Sequence, residues 1–165
     1  MAIARVAFIK GRYEFHLLCY GSTHTGLMHA EGSSDLDLTL MLRHQCKGLS
    51  FGSINHLQAL DAIREHFRVN ERDYFYKPVV LALKRLYILR VQDKESGVKI
   101  DICVNNMLGL VNSEYIRRYI QLDSRYLSLC RVMKHLHETH RPYGEQENLK
   151  MTNYAMNMKI LVYLI

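Results

Sequence analysis

An α/β fold, with strands up to about residue 104 and helices beyond it, is predicted by three features of the chain. The runs FHLLCY (15–20), LDLTLML (36–42) and VKIDICV (98–104) are short and apolar, and the last two alternate with the period of a strand. Apolar residues recur at helical spacing from His56 to Phe67 and again in the last third of the chain. The 165 residues are 48% apolar and 23% charged, which suits one globular domain with its own core. Nine glycines and two prolines exclude collagenous or linker-rich sequence.

Taken in order, residues 15–20 form a strand that stops at Gly21-Ser22, which reads as a tight turn, and Thr23 to Met28 can start a short helix. In the strand Leu36 to Leu42, alternation places Asp35, Asp37 and Thr39 on one face and Leu36, Leu38 and Leu40 on the other. Leu57, Leu60, Ile63 and Phe67 make His56 to Phe67 a helix. Val79 to Val91 reads as one or two strands. Val98 to Val104 is the clearest strand, with Lys99, Asp101 and Cys103 opposite its aliphatic face. Asn112 or Ser113 can cap a helix through Ile120, and Asp123 or Ser124 a second one striped by Leu129, Val132, Met133 and Leu136.

After Pro142-Tyr143-Gly144 a last helix runs from about Thr152 to the end. It carries Ala155, Met158, Leu161, Val162 and Ile165 on a broad apolar stripe. Leaving such side chains in water forgoes roughly 1.5–3 kcal/mol each. That helix is therefore expected to pack against another polypeptide or a C-terminal region beyond Ile165.

Twenty-two Lys/Arg against sixteen Asp/Glu give a net charge of +6, which favours an anionic partner, nucleic acid first. Cys19, Cys46, Cys103 and Cys130 are too far apart for a CxxC zinc site or a compact disulfide framework. Reduced thiols in an intracellular compartment, cytoplasmic or mitochondrial alike, are expected. The N-terminus lacks a secretory signal, and Ile160 to Ile165 is too short to span a bilayer, so no membrane partner is expected. His135, His137 and His140 do not share one helix face and are not read as a metal site.

The chemistry gathers at Gly21-Ser22, Asp35, Asp37 and Asp101. Carboxylates at i and i+2 on a strand project from one face, about 7 Å apart. A third on a neighbouring strand would complete an oxygen-rich site of the kind Mg²⁺ prefers. Two such ions can activate an attacking hydroxyl and neutralise a leaving pyrophosphate. A Gly-Ser turn beside them offers close backbone approach and a hydroxyl for phosphate.

These motifs, YGSTHTGLMHAEGSSDLDL with VKIDICVNN, Asn112-Ser113, YIQLDSRYLSLCRVMKHL and NYAMNMKILVYLI, resemble the noncanonical poly(A) polymerase and terminal uridylyltransferase family. This family lies within the polymerase-β-like nucleotidyltransferases. The resemblance implies a nucleotidyltransferase palm over residues 1–110, a mixed sheet flanked by helices, followed by the start of an α-helical domain over residues 111–165. It implies template-independent transfer of ribonucleotides, UTP ahead of ATP, to RNA 3′ ends with Mg²⁺ or Mn²⁺. By the same resemblance Asp35, Asp37 and Asp101 bind the metals, and Ser22 with the Gly21 backbone holds the β/γ-phosphates. Asn106 would touch the ribose, Lys134 the triphosphate, and Tyr154, preceded by Asn153, would stack on the base.

Three departures stand out. Glu138 replaces a second lysine and could pair with Lys134 across one turn, Asn153 replaces a serine, and the chain stops inside an apolar helix. They favour, as the alternative, a catalytically weak homologue serving as a structural subunit of an RNA–protein complex such as a mitochondrial ribosome or RNA-processing assembly.

Overall fold

One parallel pairing organises the molecule. In the computed structural model, which describes residues 9, 13–28, 35–44, 54–83, 86–139 and 151–165, β2 (Leu36–His44) runs parallel to β5 (Lys99–Val104) at the centre of a five-stranded sheet. β1 (Tyr13–Tyr20) lies antiparallel outside β2. On the other side come β4 (Tyr87–Gln92) and then β3 (Val79–Ala82), both antiparallel to their neighbours, for the order β1-β2-β5-β4-β3. The mixed sheet flanked by helices is thus observed, and Val79 to Val91 resolves into two strands.

The aliphatic faces of β2, β4 and β5 make the first core. Leu40, Leu42, Leu89, Val91, Ile102 and Val104 are buried there against α2 (His56–Asn70), which contributes Ala59, Leu60, Ile63 and Phe67. Asn55 starts that helix, its side chain accepting from the Gln58 N–H at 3.1 Å. The opposite face of β2 is covered as well, and Thr39 is fully buried.

Gly21-Ser22 opens a helix rather than forming a turn. α1 (Gly21–Thr25) follows β1 without a break, because Gly21 adopts φ +70, and it closes at Gly26 with φ +75. α3 (Met107–Leu122) starts before the expected caps Asn112 and Ser113, which lie inside it. Its cap is Asn106, whose Oδ1 accepts from the Gly109 N–H at 3.0 Å. Gly109 in the first turn is a poor helix former, costing about 1 kcal/mol, and obscured the true start. A side chain there would lie 2.6 Å from Asn106 Nδ2 and 2.9 Å from Tyr20 Cδ2, so glycine is what lets α3 close on β1.

α4 (Ser124–Thr139) follows Asp123, whose Oδ1 accepts from the Arg125 N–H at 2.9 Å. α5 (Asn153–Leu164) is capped by Thr152, Oγ1 to the Ala155 N–H at 3.2 Å. Together α3, α4 and α5 build a second core of Leu27, Ile116, Tyr126, Cys130, Met156, Ile160 and Leu161. Only Leu161 of the expected α5 stripe is fully in it; Met156 and Ile160 take the inner positions, and Val162, Tyr163 and Ile165 are exposed. α5 is apolar nearly all round, so periodicity could not select its inner face. Among the described residues no helix is long and apolar enough to cross a membrane.

Candidate active site

The register of the sheet brings the acidic residues together. Asp37 on β2 stands directly across from Asp101 on β5, and Asp101 directly across from Arg90 on β4. Asp101 is buried and takes a bidentate pair from Arg90, Nε to Oδ1 and Nη2 to Oδ2, both at 2.7 Å. Asp35 lies one residue before β2, half exposed, with its Oδ2 3.7 Å from the same Nη2. Burial pushes the Asp37 carboxyl up to about 6, and the negative charges of Asp101 and Asp35 add to that push. Arg90 and Lys134 act in the opposite sense.

Beside Asp37 opens a cleft of about 290 Å³ walled by the edge of the sheet and by the helices of the second core. Tyr20, Gly21 and Ser22 line it from the β1–α1 junction, Ser113 and Asn112 from α3, Lys134 from α4, and Asn153, Tyr154 and Asn157 from α5. Lys134 is 8% exposed, and its Nζ donates to the Leu27 carbonyl at 3.2 Å. A buried ammonium with three donors and one backbone carbonyl is well placed to receive an anion. Tyr154, at 39% exposed, offers its ring at the rim.

Gly21 is fixed from behind. Its N–H donates to Ser113 Oγ at 2.7 Å, and that hydroxyl donates to the Gly109 carbonyl at 2.7 Å. The Gly21 amide is thereby spent on α3, and what Gly21 gives the cleft is space. An added Cβ would collide with the Asp37 carboxylate.

Of the residues expected at the site, Gly21, Ser22, Asp37, Lys134, Asn153 and Tyr154 line the cleft. Asp35 and Asp101 adjoin it through Asp37 without lining it. Asn106 stands behind it as the α3 cap, its own N–H donating to Thr39 Oγ1 at 3.0 Å. Glu138 falls in the last turn of α4, and its side chain lies outside the described residues, as do His140 and the Gly32-Ser33-Ser34 stretch.

The sequence profile described as the central palm domain of poly(A) RNA polymerase, mitochondrial-like, matches residues 4–121. The chain belongs to this family. Among curated relatives, poly(A) RNA polymerase GLD2-B of Xenopus laevis is 29% identical over 132 residues, covering 80% of this chain and 25% of its own. Poly(A) RNA polymerase GLD2 of Homo sapiens is 28% identical over 137 residues, covering 80% and 27%. The chain thus spans about a quarter of the length of these relatives. Among solved structures, the Cid1 poly(U) polymerase with MgGTP superposes with a TM-score of 0.76 at 20% identity, covering 99% of this chain and 46% of that one. At that identity the likeness shows the fold alone, a mixed five-stranded sheet flanked by helices.

Within this palm family member the three carboxylates are a hard-oxygen donor set suited to Mg²⁺ or Mn²⁺. Burial is the larger part of the push on the Asp37 carboxyl, and the negative charges of Asp101 and Asp35 that add to it are ones such an ion would relieve. Among the described residues, though, no three His, Cys, Asp or Glu side chains are grouped to hold a metal. Both Asp101 oxygens are engaged by Arg90. Arg90 is the residue that sequence reasoning missed. It lies in the apolar run Val79 to Val91, which read as one or two strands, yet a lone cation mid-strand, like Asp101 on the next strand, is a signal for an opposite-charge cross-strand pair. Ser113 was read as a helix cap and as part of a family motif, without a role at the site.

Proposed function

We propose that this chain is the palm and first helices of an RNA terminal nucleotidyltransferase, which adds ribonucleotides to RNA 3′ ends without a template. The observation that carries the reading is the cross-strand alignment of Asp37 with Asp101 beside a cleft that also holds Ser22, Lys134 and Tyr154. In this reading Asp35, Asp37 and Asp101 hold Mg²⁺ or Mn²⁺, whose chemistry is to neutralise charge on the phosphates and to ready the RNA hydroxyl. Ser22 and Lys134 receive the triphosphate, and Tyr154 stacks on the base, with Asn153 beside it and Asn112 and Asn157 as amide donors within reach. Asn106 acts from behind by fixing the start of α3 and, through it, Ser113 and Gly21. Positioning and charge neutralisation supply most of the rate in such transfer.

The curated relatives are named poly(A) RNA polymerases, so ATP takes precedence over the UTP that sequence reading favoured. The test is incubation of the protein with a short RNA, Mg²⁺ or Mn²⁺ and each NTP in turn. Extension of wild type but not of Asp37→Ala is the expected result. No extension by wild type under any NTP, with the fold intact, would favour the structural-subunit alternative.

A further inference from the structure

Arg90 occupies the carboxylate of Asp101. Its Nε and Nη2 each lie 2.7 Å from an Asp101 oxygen, so a fork-shaped cation already spans the whole carboxylate. The same Nη2 reaches Asp35 Oδ2 at 3.7 Å. The order Asp37, Asp101, Arg90 runs across one face of three adjacent strands, which places the guanidinium on the flank of the cluster away from the nucleotide cleft. The two partners differ in freedom. The Asp101 side chain is 8% exposed and held within β5, whereas the Arg90 side chain is 41% exposed and can withdraw its head to water.

We propose that Arg90 is a resident counter-ion of the aspartate cluster, one that a divalent ion must displace from Asp101 before the three carboxylates can share it. Arg90 thereby sets the metal concentration at which the site assembles, and in the metal-free protein it keeps buried Asp101 paired. The inference rests on the proposed metal role of Asp35, Asp37 and Asp101.

The test is Mn²⁺ binding to the purified protein, read from the electron paramagnetic resonance signal of free Mn²⁺, for wild type, Arg90→Gln, Arg90→Lys and Asp37→Asn. Breaking hydrogen bonds to a charged group is commonly worth a factor of about ten or more. Arg90→Gln is therefore expected to bind Mn²⁺ about tenfold tighter than wild type. Arg90→Lys keeps the positive charge but cannot form the fork, and it should recover most of that gain; it also carries the comparison should Arg90→Gln fail to fold. Wild-type affinity or weaker binding in Arg90→Lys would mean that charge alone, not occupation of Asp101, governs the ion, and the proposal falls. If Asp37→Asn loses Mn²⁺ while neither Arg90 variant tightens it, the inference fails and the metal reading stands. If wild type and Asp37→Asn bind Mn²⁺ alike, the metal reading fails and takes the inference with it.

Discussion

Replacing Gly21 by alanine perturbs the cleft while leaving every charge in place. Gly21 sits at φ +70, where a residue with a Cβ is strained by roughly 1–2 kcal/mol. The new Cβ would also lie 3.2 Å from Asp37 Cγ and 3.3 Å from Asp37 Cβ, with Oδ2 nearer still, so the carboxylate must leave its present position across from Asp101. Gly26 supplies the control. It has φ +75, but nothing lies within 4 Å of an added Cβ. Both variants therefore bear a similar backbone cost, and only Gly21→Ala moves the aspartate. In a chain of this size each kcal/mol shifts Tm by about 2–4 °C. Gly26→Ala is expected to melt about 2–8 °C below wild type, and Gly21→Ala lower again. In the RNA extension assay Gly26→Ala should stay near wild type at a temperature where it is folded. Gly21→Ala should lose on the order of a hundredfold, the scale of a misplaced reacting group. Equal melting temperatures and equal extension by the two variants would refute the claim that Gly21 is there to admit Asp37.

Asp37 should trade stability for function. Its carboxyl is pushed up to about 6, so between the ordinary value of 3.8 and that point the native protein holds a proton more tightly than the unfolded chain. Stability then falls as pH rises through this window. Asp37→Asn, which cannot ionise, should melt above wild type at pH 7.5, match it near pH 4, and fail to extend RNA; a lower Tm at pH 7.5 would contradict the burial argument. Lys134→Met keeps the volume of a side chain that is 8% exposed and removes its charge. It should raise the KM for NTP about tenfold or more, the scale of a charge-assisted contact, and lower Tm by about 2–4 °C because the Leu27 carbonyl loses its donor; an unchanged KM would place the triphosphate elsewhere. Tyr154→Ala should weaken nucleotide binding by about 1–3 kcal/mol, with Tyr154→Phe restoring it, and equal deficits in the two would point to the hydroxyl instead of the ring.

How legible the site was in the sequence depends on whether local pattern or tertiary contact placed each residue. Alternation put Asp37 and Asp101 on strands with aliphatic backs, and the structure adds only that those strands are adjacent, parallel and in register. Lys134 and Tyr154 came from resemblance, and helical spacing had no means of turning them toward the same cleft. The start of α3 was hidden because Gly109, unfavourable for a helix in isolation, is required by Tyr20 and Asn106 packing against it. The inner face of α5 was hidden for the opposite reason. Most positions there are apolar, and what selects Met156 and Ile160 is their fit against Ile116, Tyr126 and Cys130. Arg90 was overlooked because its meaning lies in its partner, and cross-strand partners become visible only once the strand order is known.

The seam between the two cores is where the site is most open to perturbation. α1 has five residues, too few to sustain a helix on its own. It is held from outside: Gly21 by Ser113 at 2.7 Å, the Gly26 carbonyl by Arg131 at 2.9 Å and the Leu27 carbonyl by Lys134 at 3.2 Å. Two of those three bonds come from α4 and one from α3, so Ser22 is positioned by helices that belong to the second core. Asp37 and Asp101, by contrast, are fixed by the central strands of the first. A change in the packing of α3 or α4 should therefore reach the Ser22 end of the cleft before it reaches the carboxylates. A nucleotide would reinforce the seam in turn, since its triphosphate would span Ser22 on α1 and Lys134 on α4, and its base would meet Tyr154 on α5.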